Sequence, residues 1–591
     1  MKTADFLVDR LKAWGVKRIF GYSGDGINGV IGALQRDRAI DFIQPRHEEM
    51  GAFMAVAHAK FTGELGVCLA TGGPGATHLI TGLYDAKADH MPVLAICGQA
   101  ETTVRGASYQ QELNLDRMFA DVAEYVQEVS HPAQLPHVID WAIRLAIARR
   151  GPSVIIVPKD VQEQAFEAPA RLHGFTRSGA GYSVPIVVPA DDDLRKAAQV
   201  LNSGEKVAIL IGAGALNAAD EVIAVAEKLG AGVAKALLGK SILPDDLPFV
   251  TGCIGLLGRK PSSDMMTGCD RLLMVGTGFP WSEFLPKDGA ARAVQIDIDP
   301  AMLSLRYPCE VNLHGDANET LRLLLPMLKR KDRGWRNEIE RSISDWWETL
   351  EARAMTKAHP VNAQRVVWEM SPRLPENAIV TSDSGSCANW YARDYRVKGG
   401  QMASLSGGLA SMGAAVPYAI GAKFAHPDRP VVALVGDGAM QMNNMAELIT
   451  AAKYMDRWPD KRLITCVLNN QDLNEVTWEQ RVMNGNPRFD ASQDIPDVRY
   501  SKFAELIGLK GIYVDDPKGL GEAWDEALSS ERPVVLEVKT DPEIAPLPPH
   551  ISFKEAKQFM FSMAKDEDAG HVIADTARQV INKVLHREDA D

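Results

Sequence analysis

The sequence predicts an α/β protein of three parallel-sheet α/β domains in series, closed by a helical C-terminal tail. Three observations carry that reading. Short β-branched runs alternate with longer helix-patterned stretches, the signature of parallel sheets covered on both faces. Two stretches break the alternation, a Gly/Ser/Pro-rich one at 171–193 and a highly charged one at 329–360. The length of 591 residues fits, since at roughly 150 residues per domain about three or four domains are expected.

The first block, 1–170, opens with MKTADFLVDRLKAWG, which carries charges throughout and reads as an amphipathic helix, not a signal peptide. Its strands are KRIFGYSG (17–24), GVCLAT (66–71), VLAICG (93–98) and SVIIVP (153–158). The second block, 190–330, has KVAILIGAG (206–214), GVAKAL (232–237), RLLMVGTG (271–278) and AVQIDID (293–299), and closes on the helix HGDANETLRLLLPML (314–328). Residues 329–360 read as a surface helix and second linker. The third block, 360–545, has AIVTSDSG (378–385), VVALVGDG (431–438), RLITCVLNN (462–470) and PVVLEVKT (533–540). The tail, 546–591, is helical from Ile551. No short repeat and no low-complexity tract is visible.

Composition narrows the class. With 46% apolar and 24% charged residues the chain is an ordinary soluble globular protein. Its net charge of −13 gives no long-range attraction for phosphate backbones, so nucleic acid is not an expected partner. The seven cysteines are odd in number and scattered, without CxxC or Cys/His clusters, which argues against zinc, iron–sulfur clusters and secretion. No apolar run is long enough to span a membrane. The expectation is a cytoplasmic protein of enzyme size.

The chemistry concentrates in VVALVGDGAMQMNN (431–444) and LITCVLNNQDLNEV (463–476). A buried strand ends at Val435 and turns through Gly436-Asp437-Gly438 into a helix, whose unpaired N–H groups form an anion site. Asp437 stands at the carboxyl edge of the sheet beside it. A second strand brings Asn469 and Asn470 to the same edge, with 30 residues between Gly438 and Asn469. A carboxylate, an amide oxygen and a carbonyl are hard ligands suited to Mg²⁺ or Ca²⁺, and Mg²⁺ bridges such a site to a diphosphate. In isolation GDG is usually only a turn: Gly24-Asp25-Gly26 repeats it with no Asn-Asn at that distance.

GDG followed by NN resembles the diphosphate signature of thiamine-diphosphate enzymes. The resemblance implies that Asp437, the side chain of Asn470 and the carbonyl of Asp472 hold Mg²⁺, while Gly438 and Ala439 approach the diphosphate. QPRHEEMGAFMAVAHAKFTG (44–63) resembles the segment whose Glu, here Glu48, hydrogen-bonds the aminopyrimidine and favours the tautomer that activates the cofactor. SGGLASMGAAVPYAIGAKFA (406–425) resembles the loop with a bulky apolar wedge, placing Ala410, Ser411 and Met412 against the cofactor. TGGPGATHLITGLYDAKADHMPVLAI (71–96) resembles the Gly-Pro-Gly loop of the N-terminal domain. The first block is then the pyrimidine-binding domain and the third the diphosphate-binding domain.

The likeness runs over almost the whole chain and is greatest to pyruvate oxidases, especially the quinone-reducing bacterial pyruvate dehydrogenase. GCIGLLG (252–258), VGTGFPWSEFLP (275–286), VQIDIDP (294–300) and PLPPHISFKEAKQF (546–559) carry it. It implies a central FAD-type domain with the flavin lined by Ile254, Gly255, Leu256, Leu257, Thr277, Gly278, Phe279, Pro280, Trp281 and Asp297. The implied reaction is oxidative decarboxylation of pyruvate or a related 2-oxo acid, with electrons passing through FAD to a quinone or oxygen.

Two departures concern the substrate. Pyruvate oxidases carry a Phe before the Gln of the 108–112 segment, where SYQQE has Gln110 followed by Gln111. A second Phe falls at Glu475, next to Val476. Gln111 and Glu475 thus join Glu48 as the implied catalytic set, and two apolar contacts become polar, as a substrate with an extra hydroxyl or amide would require. Glu479 is a weaker candidate of the same kind.

Rival readings are an acetolactate-synthase-like carboligase, a non-oxidative decarboxylase, and a non-enzymatic role. The second usually has an adjacent His pair, which this chain lacks, although His78 and His90 are available; the third predicts loss of Glu48 or Asp437, and both are intact. The helix HVIADTARQVINKVLHRE (571–588) has Ile573, Ala577, Val580 and Val584 on one face, which suits subunit packing better than peripheral membrane contact. In the family the cofactor lies between two chains, so a homodimer is the minimum and a homotetramer is compatible.

Overall fold

A computed structural model describes residues 1–168 and 176–546, together with Gln558 and Ser562. The helix expected at 571–588 and nearly all of 546–591 lie outside the described residues.

Three six-stranded sheets, parallel throughout, follow one another along the chain. The first contains β1 (Arg18–Gly21), β2 (Asp41–Ile43), β3 (Gly66–Ala70), β4 (Val93–Gln99), β5 (Tyr125–Glu128) and β6 (Pro152–Pro158), in the order β2-β1-β3-β4-β6-β5. The second contains β7 (Val207–Ile211), β8 (Gly232–Lys235), β9 (Val250–Cys253), β10 (Arg271–Val275), β11 (Arg292–Asp297) and β12 (Val311–His314), in the order β12-β11-β10-β7-β8-β9. The third contains β13 (Ile379–Ser382), β14 (Met402–Leu405), β15 (Val431–Gly436), β16 (Leu463–Asn469), β17 (Lys510–Val514) and β18 (Val534–Lys539), ordered β14-β13-β15-β16-β18-β17. The first and third sheets therefore share one topology. The second has the doubly wound dinucleotide-binding order, whose switch point lies between β7 and β10.

Burial follows from the connections. Parallel strands need crossovers, the helices cover both sheet faces, and inner strands become continuous apolar runs such as VAILI in β7 and LITCVLN in β16, both wholly buried. The 329–360 segment forms the helix Gly334–Ala354, which is less superficial than its charge suggests. Ile339, Ile343, Trp346 and Leu350 repeat at helical spacing and are buried.

The first and third domains share a single apolar core. Helix Glu48–Thr62 packs on helix Ala415–Ala425, and Phe53, Ala57, Tyr418 and Ala419 belong to one cluster. A side chain at Gly421 would meet the Ala57 Cβ and the Met54 carbonyl at 2.8 Å, so the crossing requires glycine there.

The central domain joins the third through buried charge. Asp245 accepts from Lys235 at 2.7 Å, from Arg259 at 3.2 Å and from the Val397 backbone at 3.0 Å. Lys240 and Arg259 donate to carbonyls at the end of helix Ser386–Arg393 and just beyond, Tyr395 at 2.9 Å and Arg393 at 2.8 Å. Among the described residues no helix is long and apolar enough to cross a membrane. Removing the carboxylate that these three cations share leaves buried charge uncompensated, so Asp245→Ala is expected to cost about 3–5 kcal/mol. Thermal or urea unfolding checks this, and an unchanged midpoint refutes it.

Candidate active site

At the carboxyl edge of the third sheet, β15 delivers Asp437 and β16 delivers Asn470. The Asp437 carboxylate is buried, accepts from the Gly438 N–H at 2.9 Å and from the Gln471 N–H, and has no Lys or Arg partner among the described residues. Burial pushes its pKa up to about 7. Gln471 takes φ +58°, a tight left-handed turn that carries the chain back over the edge. Asn469 and Asn470 separate: Asn469 donates to Asp497 and Glu537 beneath the edge, whereas the Asn470 Oδ1 stays in the turn, accepting from Asp472 N at 3.1 Å. The Asp472 carboxylate is taken by Thr477 at 2.8 Å and Arg488 at 3.0 Å, so the side chain itself is already committed. A buried carboxylate without a cationic side chain, beside amide and carbonyl oxygens, fits Mg²⁺.

Above this edge sits Met412. A side chain at Gly438 would meet Leu473 at 2.7 Å and the Met412 Cε at 3.4 Å, so both apolar groups close on that glycine. The loop is held from below by Asp383, at the end of β13, which accepts from Gly413 N at 2.8 Å and Asn444 Nδ2 at 2.7 Å. Ala410 has φ +56°, and Ser411 N donates to Ser406 Oγ at 3.0 Å. From the first domain, the buried Asp89 accepts from Gly407 N at 3.0 Å and Gly408 N at 2.6 Å, while Lys60 bonds both Asp89 and the Leu405 carbonyl. Leu238 of the central domain would lie 2.6 Å from a Gly407 side chain. All three domains thus clamp the Met412 loop. Asp383 and Asp89 escaped the sequence reading; the strand-end Asp in AIVTSDSG was the one available signal, and Asp89 has none, since the loop it holds lies more than 300 positions away.

The first sheet presents a second edge. Glu48 opens helix Glu48–Thr62, and its Oε2 lies 2.9 Å from His78 Nδ1. The neighbouring Glu49 instead accepts from Asn443 Nδ2 at 2.9 Å, in the helical run after Asp437. A side chain at Gly75 would begin 3.4 Å from the Glu48 carboxylate. Gln111, exposed and with φ +62°, lies over Gly73, 2.7 Å from where a side chain there would begin. Glu48, Gln111 and the Gly-Pro-Gly loop are therefore brought together, while Glu48 and Asp437 share no hydrogen bond among the described residues.

Glu475 and the central domain meet on a third side. Glu475 is half-buried, accepts from the buried Asn389 at 2.6 Å, and burial pushes its pKa up to about 7. One helical turn on, Arg393 donates to the carbonyls of Gly258 at 3.1 Å and Leu256 at 3.2 Å. Val476 beside Glu475 is 41% exposed, open toward the edge. Glu479 is exposed, and partial burial nevertheless raises its pKa.

Every residue expected to line a flavin lies beyond a strand end of the central sheet. Ile254, Gly255, Leu256 and Leu257 follow β9; Thr277, Gly278, Phe279, Pro280 and Trp281 follow β10; Asp297 ends β11. Thr277 Oγ1 accepts from Phe279 N at 3.2 Å, Gly255 approaches the Phe279 ring, and Trp281 stays half exposed at an edge-on angle to it. Gly212 and Gly214 crowd Gly276 across the switch point, with 2.6 and 2.7 Å left for a side chain. A backbone pared down in this way fits a dinucleotide. Lys235, at the end of β8, is committed to Asp245; Asp297, at the end of β11, accepts from Asp299 N at 3.0 Å, and burial raises its pKa.

The chain matches the thiamine pyrophosphate enzyme N-terminal TPP binding domain over 1–118, the central domain over 194–324 and the C-terminal TPP binding domain over 383–538. It belongs to the thiamine pyrophosphate enzymes. YdaP of Bacillus subtilis (strain 168), named as a thiamine pyrophosphate-containing protein, is 37% identical over 95% of each chain. A pyruvate oxidase of Lactiplantibacillus plantarum is 32% identical over 89% of this chain and 86% of its own. An acetolactate synthase of Arthrospira platensis is 30% identical over 90% and 92%.

The clamp holds the loop expected to carry the cofactor. Asp89→Ala is expected to weaken thiamine diphosphate binding about tenfold, or roughly 1.4 kcal/mol, with Asp89→Asn retaining part of it. Isothermal titration checks this, and an unchanged Kd refutes it. A pH effect follows too. Asp437 and Glu475 at about 7 and Asp383 at about 6 all sit above their unfolded values. Their stabilising protons are fully held below about pH 4 and lost as pH rises through about 6–7. The cofactor-free protein is expected to melt at a lower temperature near pH 8 than near pH 6, and bound Mg²⁺ and thiamine diphosphate to narrow the gap; equal midpoints would count against these shifts.

Proposed function

We propose that this chain is a thiamine-diphosphate- and Mg²⁺-dependent enzyme that oxidatively decarboxylates pyruvate or a related 2-oxo acid, with electrons passing through FAD to a quinone or oxygen. One observation supports the oxidative reading above others. The line Glu475–Asn389–Arg393–Leu256/Gly258 ties the cofactor edge of the third domain to the flavin loop of the central one. Electron transfer between two sites requires such adjacency.

Bound there, thiamine diphosphate would supply a nucleophilic carbon and an electron sink for decarboxylation, and FAD a two-electron acceptor. The residues do the rest. Asp437, the Asn470 amide oxygen and the Asp472 carbonyl hold Mg²⁺ and through it the diphosphate, beside the N–H groups of Gly438 and Ala439. Met412, with Ala410 and Ser411, props the cofactor from the loop. Glu48 shares a proton with a ring nitrogen of the pyrimidine, Gln111 lies over the substrate face, and Glu475 offers a polar contact where an apolar one is usual. Glu48 turns to His78 while Glu49 holds Asn443 of its own chain. That division supports a site completed by Asp437 of a second copy, so a homodimer is the least assembly and a tetramer is compatible. Seven unpaired cysteines fit a reducing compartment such as the cytoplasm.

A carboligase of the acetolactate synthase kind is the second reading, supported by relatives of similar identity. An anaerobic absorption spectrum with Mg²⁺ and thiamine diphosphate, before and after pyruvate, separates the two. Flavin bands that bleach are the expected result, with Glu48→Gln slowing bleaching about 10²–10⁴-fold. Bands that persist with every 2-oxo acid tried move the assignment to a carboligase, and a flavin-free protein sinks the oxidase.

A further inference from the structure

The Glu48 edge carries two imidazoles that the proposed reaction does not use. His47 is the N-cap of helix Glu48–Thr62, and its Nδ1 accepts from Glu49 N at 3.3 Å, which leaves Nε2 for another partner. His78 ends the short helix Pro74–His78 and meets Glu48 Oε2 at 2.9 Å. The two imidazole rings lie 4.3 Å apart, and one ligand atom from each of the three residues falls within 4.8 Å of the others. Glu48 has no Lys or Arg partner among the described residues, and its side chain is 13% exposed against 42% for His78. The cluster is built into two helix ends yet open on one side.

We propose that His47, Glu48 and His78 form a metal site for a divalent transition ion such as Zn²⁺, and that its occupancy opposes cofactor binding. Two imidazoles and one carboxylate, completed by water, are a standard open tetrahedral set for zinc. Borderline nitrogen donors select such ions over Mg²⁺, whereas the all-oxygen group at Asp437 and Asn470 selects the reverse. One chain therefore sorts two metals by ligand chemistry. Because Glu48 is one of the three ligands, the ion and the pyrimidine ring compete for a single carboxylate. That competition, though not the metal site itself, rests on the assignment of Glu48 to the cofactor.

Cobalt(II) is the probe, since zinc is spectroscopically silent. The full-length protein, stripped of Mg²⁺ and thiamine diphosphate, is titrated with CoCl₂. The expected result is visible absorption of four-coordinate cobalt, saturating at one ion per chain, abolished by ZnCl₂ and untouched by excess MgCl₂. His78→Gln and His47→Asn should each weaken cobalt binding at least tenfold; the Asn variant keeps the helix cap, and far-UV circular dichroism confirms that both fold. Thiamine diphosphate with Mg²⁺ should displace the cobalt. Absence of the band, or a band unchanged in both variants, overturns the metal site. A band lost in the variants but not displaced by the cofactor upholds the metal site and overturns the assignment of Glu48.

Discussion

The close crossing of helices Glu48–Thr62 and Ala415–Ala425 fixes the geometry of everything else. Gly421 lets the two backbones meet, and the apolar faces of both helices merge the first and third domains into one core. Each helix begins at a functional position. Glu48 is the first residue of one, and Met412 lies three residues before the other. A rigid crossing therefore sets two site elements from different domains at a fixed separation, and packing rather than loop conformation defines the site. The flanking polar contacts, Lys60–Asp89 and Tyr418–Asp85, complete their hydrogen bonds across that same interface.

Much of this was legible in the sequence, and what was missed has a pattern. Twelve of the eighteen strands were read from apolar runs; the six overlooked, β2, β5, β9, β12, β14 and β17, are the two edges of each sheet. Inner strands are buried on both faces and so appear as unbroken apolar runs. Edge strands need no such run: DFI, YVQE and VNLH are short and partly exposed, and their pairing is decided by the sheet they join. The duplicated strand order of the first and third domains left no sequence repeat, because topology constrains where strands go and not which apolar residue fills them.

The site divides along the same line. Asp437, Asn470, Met412 and Glu48 can be named from the sequence because each falls within a local motif. Asp89, Asp383 and Asn389 act on partners distant in the chain, and no local spacing announces them. The Asn469-Asn470 pair shows the limit within a motif. Two identical residues in sequence take opposite duties because successive side chains at a strand end leave by opposite faces.

Electrostatics then distinguishes carboxylates that hold the fold from those left for a ligand. Asp245 and Asp437 are both aspartates in full burial. Three cations surround Asp245 and hold its carboxyl far below the usual range, so its charge is neutralised inside the protein. Asp437 meets only backbone N–H groups, and burial drives its pKa up to about 7. Direction alone does not decide function, since Asp383 is also raised, to about 6, yet its oxygens accept from Gly413, Ser384, Ala415 and Asn444 and are spent on the loop. The discriminating state is a raised, cation-free carboxylate at a sheet edge beside amide and carbonyl oxygens that do not neutralise it. Such a group is costly while no cation neutralises it, and any cation that binds there recovers that cost as binding energy. The fold keeps this group in place because the helix crossing and the three-domain clamp stabilise the surroundings independently of it.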